Sequence, residues 1–514
     1  MSVELPPAKS VVSNPTQEQL REWVLELMPK DRTIVTEFDN INYTARILAR
    51  LTPSTFIVSD EPNDKATMSR AEAAEYAAKQ DAHIAEQEMV LVEGYIGPDP
   101  EFRTASRLYM EKAHSNIPAM QQQLFFDKDA DWSPDFTIIY TPTLRIPEHH
   151  EECLILVDYD NWVTRVFGSD YFGESKMGGL RMWNKRVFEL GGLAMHSGAK
   201  TFPAEETTDG LERLALIIGL SGTGKTTTTF RNVKGSLPVQ DDFIALMPGG
   251  TVYTTEDGCF AKSYGLDPDD EPTIYGGATR SDAWLESVAV DPETKKVDFF
   301  DDSYTANGRV TFPLKNIRHR DPKALPKAHY LFILNRNENI IPAVARLKAE
   351  QAAYYFMLGE TQGTSAGGAH EAGKSLRVPG TNPFWFEEES SMGNRFLELL
   401  ETCELEVYLL NTGRVGGPDS DDRSKKVKIP HSAAVQDGII DGTIEWVEDP
   451  DFGYEVAAAI PGFDDAELLQ PVKLYERQGR VEEYRQIVER VTADRAAYLA
   501  KFASLHASVA AAGS

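Results

Sequence analysis

The sequence has little cysteine, and the few cysteines are far apart. Three of the 514 residues are cysteine, namely Cys153, Cys259 and Cys403. Their scatter excludes the short Cys spacings of zinc sites and dithiol redox motifs. So low a content suits a reducing compartment, which we expect to be the cytoplasm.

Basic residues are fewer than acidic residues, and long apolar runs are absent from the sequence. The chain has 52 Lys and Arg against 80 Asp and Glu, a net charge of −28. Nucleic acids and anionic membranes attract basic surfaces, so we expect neither as a partner. No run approaches the length of a membrane span, and the N-terminus lacks a signal-peptide pattern. We expect small-molecule substrates, with any anionic substrate held by a local cationic pocket, and a monomer or small homo-oligomer.

Apolar runs typical of strands alternate with helical patterns, which predicts an α/β fold. The length predicts at least two domains. The polar, glycine-rich stretch near 359–386 is a predicted mobile lid.

Several helices are predicted from periodicity. Thr16 is the expected N-cap of a helix with an apolar face that includes Leu20 and Val24. A second helix is expected around Leu108 to His114, a third over residues 342–358, and mostly helix from about residue 466 to 507.

A glycine-rich stretch, Gly219 to Thr226, fits the phosphate-binding pattern G-x-x-x-x-G-K-[ST]. An apolar run over residues 214–218 reads as a buried strand before it, and four threonines after Lys225 suit a helix start. The glycines let backbone N–H groups approach phosphate oxygens at a helix N-terminus. Lys225 is expected to reach the β- and γ-phosphates, and the Thr226 hydroxyl to bind Mg²⁺. The predicted phosphate-binding positions here are Gly219, Ser221, Gly222, Thr223, Gly224, Lys225 and Thr226.

Two acidic residues and a histidine lie on either side of this stretch. Asp241 and Asp242 follow an apolar segment, a constellation typical of metal and phosphate sites. A single histidine is more often a packed or capping side chain, but the position of His196 in a glycine-containing segment before the turn raises the expectation of a functional role.

Taken together, the ordered motifs resemble the ATP-dependent phosphoenolpyruvate carboxykinases. The resemblance spans most of the chain and is strongest from Tyr171 to Gly413. Order and approximate spacing agree for the following pieces: Tyr171 to Lys176, Met195-His196, Gly219 to Thr226, Asp241-Asp242, Gly258 to Lys262, Glu271-Pro272, Gly308 to Val310, and Leu410 to Gly413. The resemblance implies a two-domain fold, with an N-terminal α/β substrate domain at residues 1–200 and a C-terminal P-loop nucleotide-binding domain at residues 201–514.

The family's chemistry assigns roles to these positions. The family decarboxylates oxaloacetate to an enolate, which attacks the γ-phosphate of ATP, a step of gluconeogenesis. By resemblance, Arg50, Tyr171 and Arg309 bind the substrate's carboxylate, CO₂ or phosphate groups. Lys176, Lys225, Lys262, Arg309 and Asp241 are the implied catalytic residues, His196, Asp242 and Thr226 the metal ligands, and Glu271, Lys426 and Ser432 further ATP contacts.

The sharpest departure from the family pattern is Met177. The family has a lysine there whose neutral amine binds Mn²⁺, and a thioether replaces it poorly. ATP and Mg²⁺ are the expected cofactors, and the use of Mn²⁺ stays open. Either the metal is bound more weakly, or the chemistry has changed, or Met177 is simply packed while Lys176 compensates.

These observations favour an ATP-dependent carboxykinase that interconverts oxaloacetate and phosphoenolpyruvate. One alternative is a P-loop kinase on the same scaffold that phosphorylates another small acceptor. Another is a nucleotide-binding protein without turnover.

Overall fold

The structure is a computed structural model that describes residues 3–220, 222–362 and 375–513. The chain forms two compact units. The first comprises Met1–Leu190, Tyr253–His319 and Phe384–Glu387, and the second comprises Gly191–Val252, Arg320–Pro383 and Glu388–Ser514. Each unit is described by itself below.

Strands and helices alternate along the chain. The strands up to residue 254 are β1 (Ser10–Ser13), β2 (Thr33–Val35), β3 (Ile41–Tyr43), β4 (Thr55–Val58), β5 (Thr67–Met68), β6 (Glu88–Ile96), β7 (Thr104–Glu111), β8 (Phe136–Thr141), β9 (Leu154–Asp158), β10 (Val163–Phe167), β11 (Leu193–Phe202), β12 (Arg213–Ile218), β13 (Leu237–Gln240), β14 (Phe243–Leu246) and β15 (Val252–Thr254). The later strands are β16 (Gly258–Lys262), β17 (Trp284–Glu286), β18 (Ala289–Val290), β19 (Val297–Asp298), β20 (Arg309–Pro313), β21 (Ala328–Asn335), β22 (Val344–Leu347), β23 (Glu360–Gln362), β24 (Ser375–Arg377), β25 (Glu406–Asn411), β26 (Arg414–Val415), β27 (Lys425–Lys426), β28 (Glu445–Glu448) and β29 (Glu455–Ala459). The helices are α1 (Gln17–Leu27), α2 (Arg70–Ile84), α3 (Asn116–Leu124), α4 (Phe172–Glu189), α5 (Lys225–Phe230), α6 (Pro272–Ala278), α7 (Ala349–Leu358), α8 (Glu389–Thr402), α9 (Ile429–Ile440), α10 (Ala466–Leu469), α11 (Pro471–Arg477), α12 (Val481–Leu499) and α13 (Ala507–Ala511).

Two mixed sheets build the first unit. One runs in the order β1-β6-β7-β8-β10-β9-β4-β5, and the other in the order β16-β20-β17-β3-β2. Helix α4 packs on β8 and β10, where Gly178 faces Ile138 and Thr164 so closely that a Cβ would lie about 3.2–3.3 Å from their atoms. This α/β arrangement confirms the predicted fold class at the level of mixed α/β sheets.

The second unit contains a larger sheet, in which strands run in the order β14-β11-β12-β21-β25-β22-β29-β28, with β13 also paired to β11. Strands β12, β21 and β25 are parallel neighbours, so their carboxyl ends lie along the same edge. Their inner residues, including Ile217, Phe332 and Leu410, are buried in one apolar cluster with residues of α9. This edge holds the glycine-rich turn described below.

The predicted helices are confirmed in part. Thr16 is the N-cap of α1, as predicted, and it forms a capping box with Gln19. The helix expected around Leu108 to His114 is wrong, because Leu108 and Met110 lie in strand β7, whose residues are buried between β6 and β8. A strand covered on both faces loses its apolar–polar alternation, so its sequence does not distinguish it from a buried helix.

Residues 342–358 divide into strand β22 and helix α7, so the helix expected there is correct only for its second half. The expected C-terminal helices are confirmed as α10, α11 and α12. Within the stretch predicted as a lid near 359–386, residues 363–374 lie outside the described residues. No helix of the described residues is long and apolar enough to cross a membrane.

A buried ion-pair network ties α12 to strands β23 and β24. Arg495, whose side chain is 1% exposed, contacts Glu360 and donates to the Tyr355 hydroxyl at 3.1 Å. Arg377 lies 3.5 Å from Glu360 and 3.1 Å from Asp494. Burial alone raises the pKa of Glu360, but the two guanidinium groups hold it below its ordinary value. The network therefore keeps a carboxylate charged inside the second unit.

We expect Arg495→Met to destabilise the second unit by about 3 kcal/mol, because removing one partner leaves a buried carboxylate poorly compensated. Urea unfolding followed by fluorescence measures the change. The control is Arg485→Met on the same helix, where the side chain is 69% exposed and pairs with Glu482 at 3.6 Å. Such a surface pair contributes about 0–1 kcal/mol. Equal losses in the two variants would contradict the assignment.

Candidate functional site

In the first unit, the predicted cationic residues converge on the sheet formed by β16, β20 and β17. Arg309 opens β20 and lies directly opposite Lys262 on β16 and Glu286 on β17. Its guanidinium carbon is 5.2 Å from the centre of the Phe260 ring. Burial, and then the charge of Arg309, lower the pKa of Lys262 to about 8. A neighbouring pair of cations in this setting is suited to binding a small anion.

Tyr171 lies at the start of α4 and is buried beside Arg309. Burial raises the pKa of its phenol, and Arg309 opposes this shift. Its ring lies over Gly173, where a Cβ would be 2.3 Å from a ring carbon, so the glycine is required for the packing. Its backbone carbonyl accepts a hydrogen bond from the Tyr140 hydroxyl at 2.8 Å. The ring is therefore fixed as a neutral hydrogen-bonding group.

Glu286 was not predicted from the sequence, yet it links Arg309 to the start of α4. It is 1% exposed, and Oε1 accepts the backbone N–H of Phe172 at 2.7 Å. Its Oε2 has no hydrogen-bond partner among the described residues. Burial raises the pKa of Glu286 to about 8, although Arg309 favours its charged form. No spacing motif marks such a residue, because its position depends on the register of β17 with β20.

Lys176 and Met177 lie in the second turn of α4. The Lys176 ammonium lies 2.7 Å from Glu256 Oε1 and 5.1 Å from the centre of the Phe260 ring. The Phe260 ring therefore lies near two cations, the Lys176 ammonium and the Arg309 guanidinium. Met177 is 7% exposed and therefore packed. Within the first unit, Lys176 is committed to a buried carboxylate.

Arg50 lies before strand β4, and its guanidinium carbon is 5.8 Å from the Phe384 ring centre. The adjacent backbone is fixed, because Leu51 donates its N–H to buried Glu174 at 2.8 Å, and Glu174 pairs with Arg181 at 2.9 Å. Glu271 lies at the N-terminal end of α6, in the same unit. The structure thus brings Tyr171, Lys262 and Arg309 together and places Arg50 near the start of α4.

In the second unit, the predicted phosphate-binding stretch is a turn between β12 and α5. Gly222 and Gly224 have positive φ angles of 82° and 88°, which favour glycine. Gly219 is also required, since a Cβ there would lie 2.4 Å from Thr223 Oγ1. Ser221 lies outside the described residues. The turn is at the carboxyl end of a parallel strand, the usual position of phosphate sites in α/β sheets.

Side chains from neighbouring strands support this turn. Thr412, after β25, donates its hydroxyl to the Thr223 carbonyl at 2.8 Å, and Arg336, after β21, donates to the Gly222 carbonyl at 3.2 Å. Lys225 donates to the Asp241 carbonyl at 2.9 Å. The Thr226 hydroxyl donates to Asp241 Oδ2 at 2.7 Å. Lys225, Thr226 and the aspartate pair therefore form one cluster, as their predicted roles require.

His196 joins this cluster. Its Nε2 is 3.0 Å from Asp242 Oδ1, and the Lys225 ammonium is 3.7 Å from the same oxygen. Its Nδ1 is 3.0 Å from the Thr381 carbonyl, which accepts a hydrogen bond from the tautomer protonated on Nδ1. Burial, followed by the charge of Lys225, lowers the pKa of His196. In the neutral tautomer protonated on Nδ1, the Nε2 lone pair faces a carboxylate oxygen, and these two atoms together are suited to binding a metal cation.

Other predicted contacts lie elsewhere in the second unit. Lys426, in β27, is exposed and lies opposite Arg414 in β26. Ser432 lies in the first turn of α9, where its N–H bonds to the Lys428 carbonyl at 3.2 Å. Arg414 was not predicted, and its guanidinium contacts Ser424 and Asp419. No group of three or more His, Cys, Asp or Glu side chains within the described ranges is arranged to hold a metal.

Comparison with known proteins gives a consistent result. A family model described as phosphoenolpyruvate carboxykinase matches residues 9–466. "Phosphoenolpyruvate carboxykinase (ATP) 1" of Salinibacter ruber is 30% identical over 482 residues, which are 90% of this chain and 84% of that protein. The protein of the same name from Moorella thermoacetica is 29% identical over 475 residues, 88% of this chain and 85% of its own. "Phosphoenolpyruvate carboxykinase (ATP)" of Nitrobacter hamburgensis is 31% identical over 395 residues, 74% of this chain and 71% of its own.

The raised pKa of Glu286 predicts a specific pH dependence of stability. Its pKa is about 8 in the folded protein against an ordinary 4.5. Between these values the folded chain holds a proton that the unfolded chain has released, so stability falls as the pH rises through this window. Glu286→Gln does not titrate, so its stability relative to the wild type should increase with pH, by at most about 1.4 kcal/mol per unit.

Urea unfolding of both proteins between about pH 5 and about pH 8 tests this. Exposed Glu293 of the same unit provides the control, because Glu293→Gln should follow the wild type at every pH. Stability curves of Glu286→Gln and wild type that stay parallel would show that Glu286 is ionised throughout.

Proposed function

The chain belongs to the phosphoenolpyruvate carboxykinase family, and we propose that it catalyses the ATP-dependent reaction of oxaloacetate to phosphoenolpyruvate, ADP and CO₂, or its reverse. The observation that carries the proposal is the convergence of Tyr171, Lys262 and Arg309 in a strongly acidic protein. A small dianion needs such a local cationic site, because the overall charge of −28 repels it. The similar proteins from Salinibacter ruber and Moorella thermoacetica are named phosphoenolpyruvate carboxykinase (ATP) 1.

The first unit supplies the groups for the small acid. Arg309 and Arg50 bind carboxylate groups of oxaloacetate, and the neutral Tyr171 phenol donates a hydrogen bond to the substrate or to the departing CO₂. As the bond to CO₂ breaks, the electron pair moves onto the ketone oxygen and forms an enolate. The Lys262 and Arg309 cations stabilise this developing charge, which is the largest electrostatic demand of the step. Lys176 lines the same pocket.

The second unit supplies the groups for the nucleotide. We propose that it is a P-loop domain in which Gly219, Ser221, Gly222, Thr223 and Gly224 direct backbone N–H groups at the phosphates. Lys225 binds the β- and γ-phosphates and stabilises the charge that moves onto the leaving ADP. Asp241 orients Thr226 and Lys225 through the hydrogen bonds described above. Lys426 and Ser432 of this unit, and Glu271 of the first unit, are assigned to the nucleotide by resemblance alone.

Divalent metal is part of this chemistry. Thr226 would hold the Mg²⁺ of the nucleotide. His196 and Asp242 would hold a second ion, because His196 Nε2 and Asp242 Oδ1 are potential ligand atoms that lie 3.0 Å apart. When bound, such an ion supplies Lewis acidity toward the enolate and phosphoryl oxygens. The Thr381 carbonyl keeps the proton on Nδ1 and leaves Nε2 available. By resemblance alone, position 177 supplies a metal ligand in the family, and the Met177 thioether is a poor ligand for Mg²⁺ or Mn²⁺.

Oligomeric state, the absence of nucleic-acid partners and cytoplasmic location remain predictions from the sequence. The division into a substrate domain at 1–200, a nucleotide domain at 201–514 and a lid near 359–386 also remains a prediction. The kinase acting on another acceptor and the non-catalytic nucleotide-binding protein are retained as outcomes of the test below.

The purified protein should form phosphoenolpyruvate from oxaloacetate and ATP with Mg²⁺, with or without Mn²⁺, as measured by a coupled assay. Lys225→Met should lower the rate at least about 100-fold, because the variant lacks the cation that stabilises the negative charge of the β- and γ-phosphates. Lys296→Met changes an exposed lysine and should leave the rate unchanged.

Absence of phosphoenolpyruvate with either metal would contradict the proposed carboxykinase activity. ATP turnover with another acceptor would then indicate the kinase, and neither turnover nor a substrate-induced thermal shift beyond that of ATP would indicate the non-catalytic protein.

Met177→Lys should tighten Mn²⁺ binding by about 10-fold, because an amine ligand replaces a thioether. Titration followed by the electron paramagnetic resonance of free Mn²⁺ measures this without turnover. Met177→Leu keeps the burial without adding a ligand and should bind Mn²⁺ as the wild type does. Unchanged affinity in Met177→Lys would mean that position 177 does not limit the metal site.

A further inference from the structure

Lys200 is a buried cation for which the proposed reaction has no use. Its side chain lies on strand β11 and is 0% exposed. The ammonium donates to the Thr228 carbonyl at 3.0 Å and to the Arg231 carbonyl at 3.2 Å. Both carbonyls belong to the carboxyl end of α5, the helix whose amino end follows the glycine-rich turn. Lys200 therefore caps the phosphate-binding helix from inside the unit.

Strand β11 presents one face to this helix and turn. Successive side chains of a strand alternate between faces, so His196, Gly198 and Lys200 share a face. A Cβ at Gly198 would lie 2.0 Å from Thr229 Oγ1, so the glycine lets α5 approach the strand. His196 and Lys200 thus flank the contact between β11 and α5, toward opposite ends of the helix.

The groups that face Lys200 make its charge adjustable. Asp437 on α9 favours the charged form, whereas Arg231 at the end of α5 disfavours it. The residues opposite Lys200 on the neighbouring strands, Ala215 and Pro238, carry no charge. Burial is the largest effect, and it lowers the pKa of Lys200 to about 7.

Farther out, Lys234 pairs with Asp441 at 2.8 Å and with Glu206 at 3.6 Å, and all three interact with Asp437. These groups belong to the surroundings of Asp437 and do not contact the Lys200 ammonium. Lys200 is therefore close to balance between its charged and neutral forms near neutral pH.

We propose that Lys200 is a positioning residue for the phosphate-binding turn, and that nucleotide binding at the amino end of α5 favours the charged form of Lys200 at its carboxyl end. The physical basis is the helix dipole. The ammonium holds the partially negative carbonyls, and the anionic nucleotide binds the partially positive N–H groups. The two also attract each other through the interior, where screening by salt is weak. This inference rests on the proposed nucleotide binding of the second unit.

The consequence is that nucleotide binding takes up a proton near pH 7. Calorimetry of Mg²⁺–ADP binding in two buffers with different ionisation enthalpies measures that uptake directly. We expect uptake of a fraction of a proton, and an affinity that falls by about two- to tenfold from about pH 7 to about pH 9. Binding without proton uptake would overturn the inference and leave nucleotide binding intact. Absence of any binding would overturn both the inference and the proposed function.

Three variants assign the proton. Lys200→Met keeps the length without the charge, and it should bind more weakly, without proton uptake and with a flat pH profile. Lys200→Arg stays charged throughout this range and should lose the uptake while it retains affinity above pH 7. Lys234→Met, the neighbouring control, should retain the uptake. Persistent uptake in Lys200→Met would overturn the inference, and the wild-type and Lys200→Arg measurements decide it even if Lys200→Met does not fold.

Discussion

The contact between strand β11 and helix α5 is the constraint on which the second unit's site depends. Gly198 allows the helix to approach, and Lys200 binds the carbonyls at the end of that helix. A helix of six residues is too short to be stable by itself, so its direction is set by what it packs against. The glycine-rich turn gains its geometry from this support, because its N–H groups point where the helix points.

The first unit solves a different problem, which is to hold several cations close together. Lys176 has a buried carboxylate partner in Glu256, whereas Arg309 lies beside Glu286, whose pKa is raised by burial. The Phe260 ring lies near both Lys176 and Arg309 and gives each a favourable face. The carboxylates Glu256 and Glu286 therefore do not neutralise all of these cations. The pocket stays positive enough to attract a dianion in a protein of net charge −28.

Much of the candidate site could be predicted from the sequence, because motif residues are close in the chain or fixed by a turn. Gly222, Gly224 and Lys225 are examples, since positive φ angles and a helix start can be inferred locally. The positions of Glu286, Glu256 and Thr381 could not be, because strand register and long-range packing bring them to Arg309, Lys176 and His196. The strand at Leu108 was mistaken for a helix for a related reason, since burial on both faces removes the period that sequence analysis uses.

The sequence by itself determined the family, the mixed α/β class and the types of group available for chemistry. Spacing motifs and charge are properties of the chain, and they survive without coordinates. The tertiary structure alone decided which carboxylate faces which cation and which side chains share a face of β11. It also placed Tyr253–His319, with Lys262 and Arg309, in the first unit, although this segment follows the glycine-rich turn in the chain. The physical reason is that pKa values, tautomers and ion pairs depend on burial and on neighbours distant in sequence.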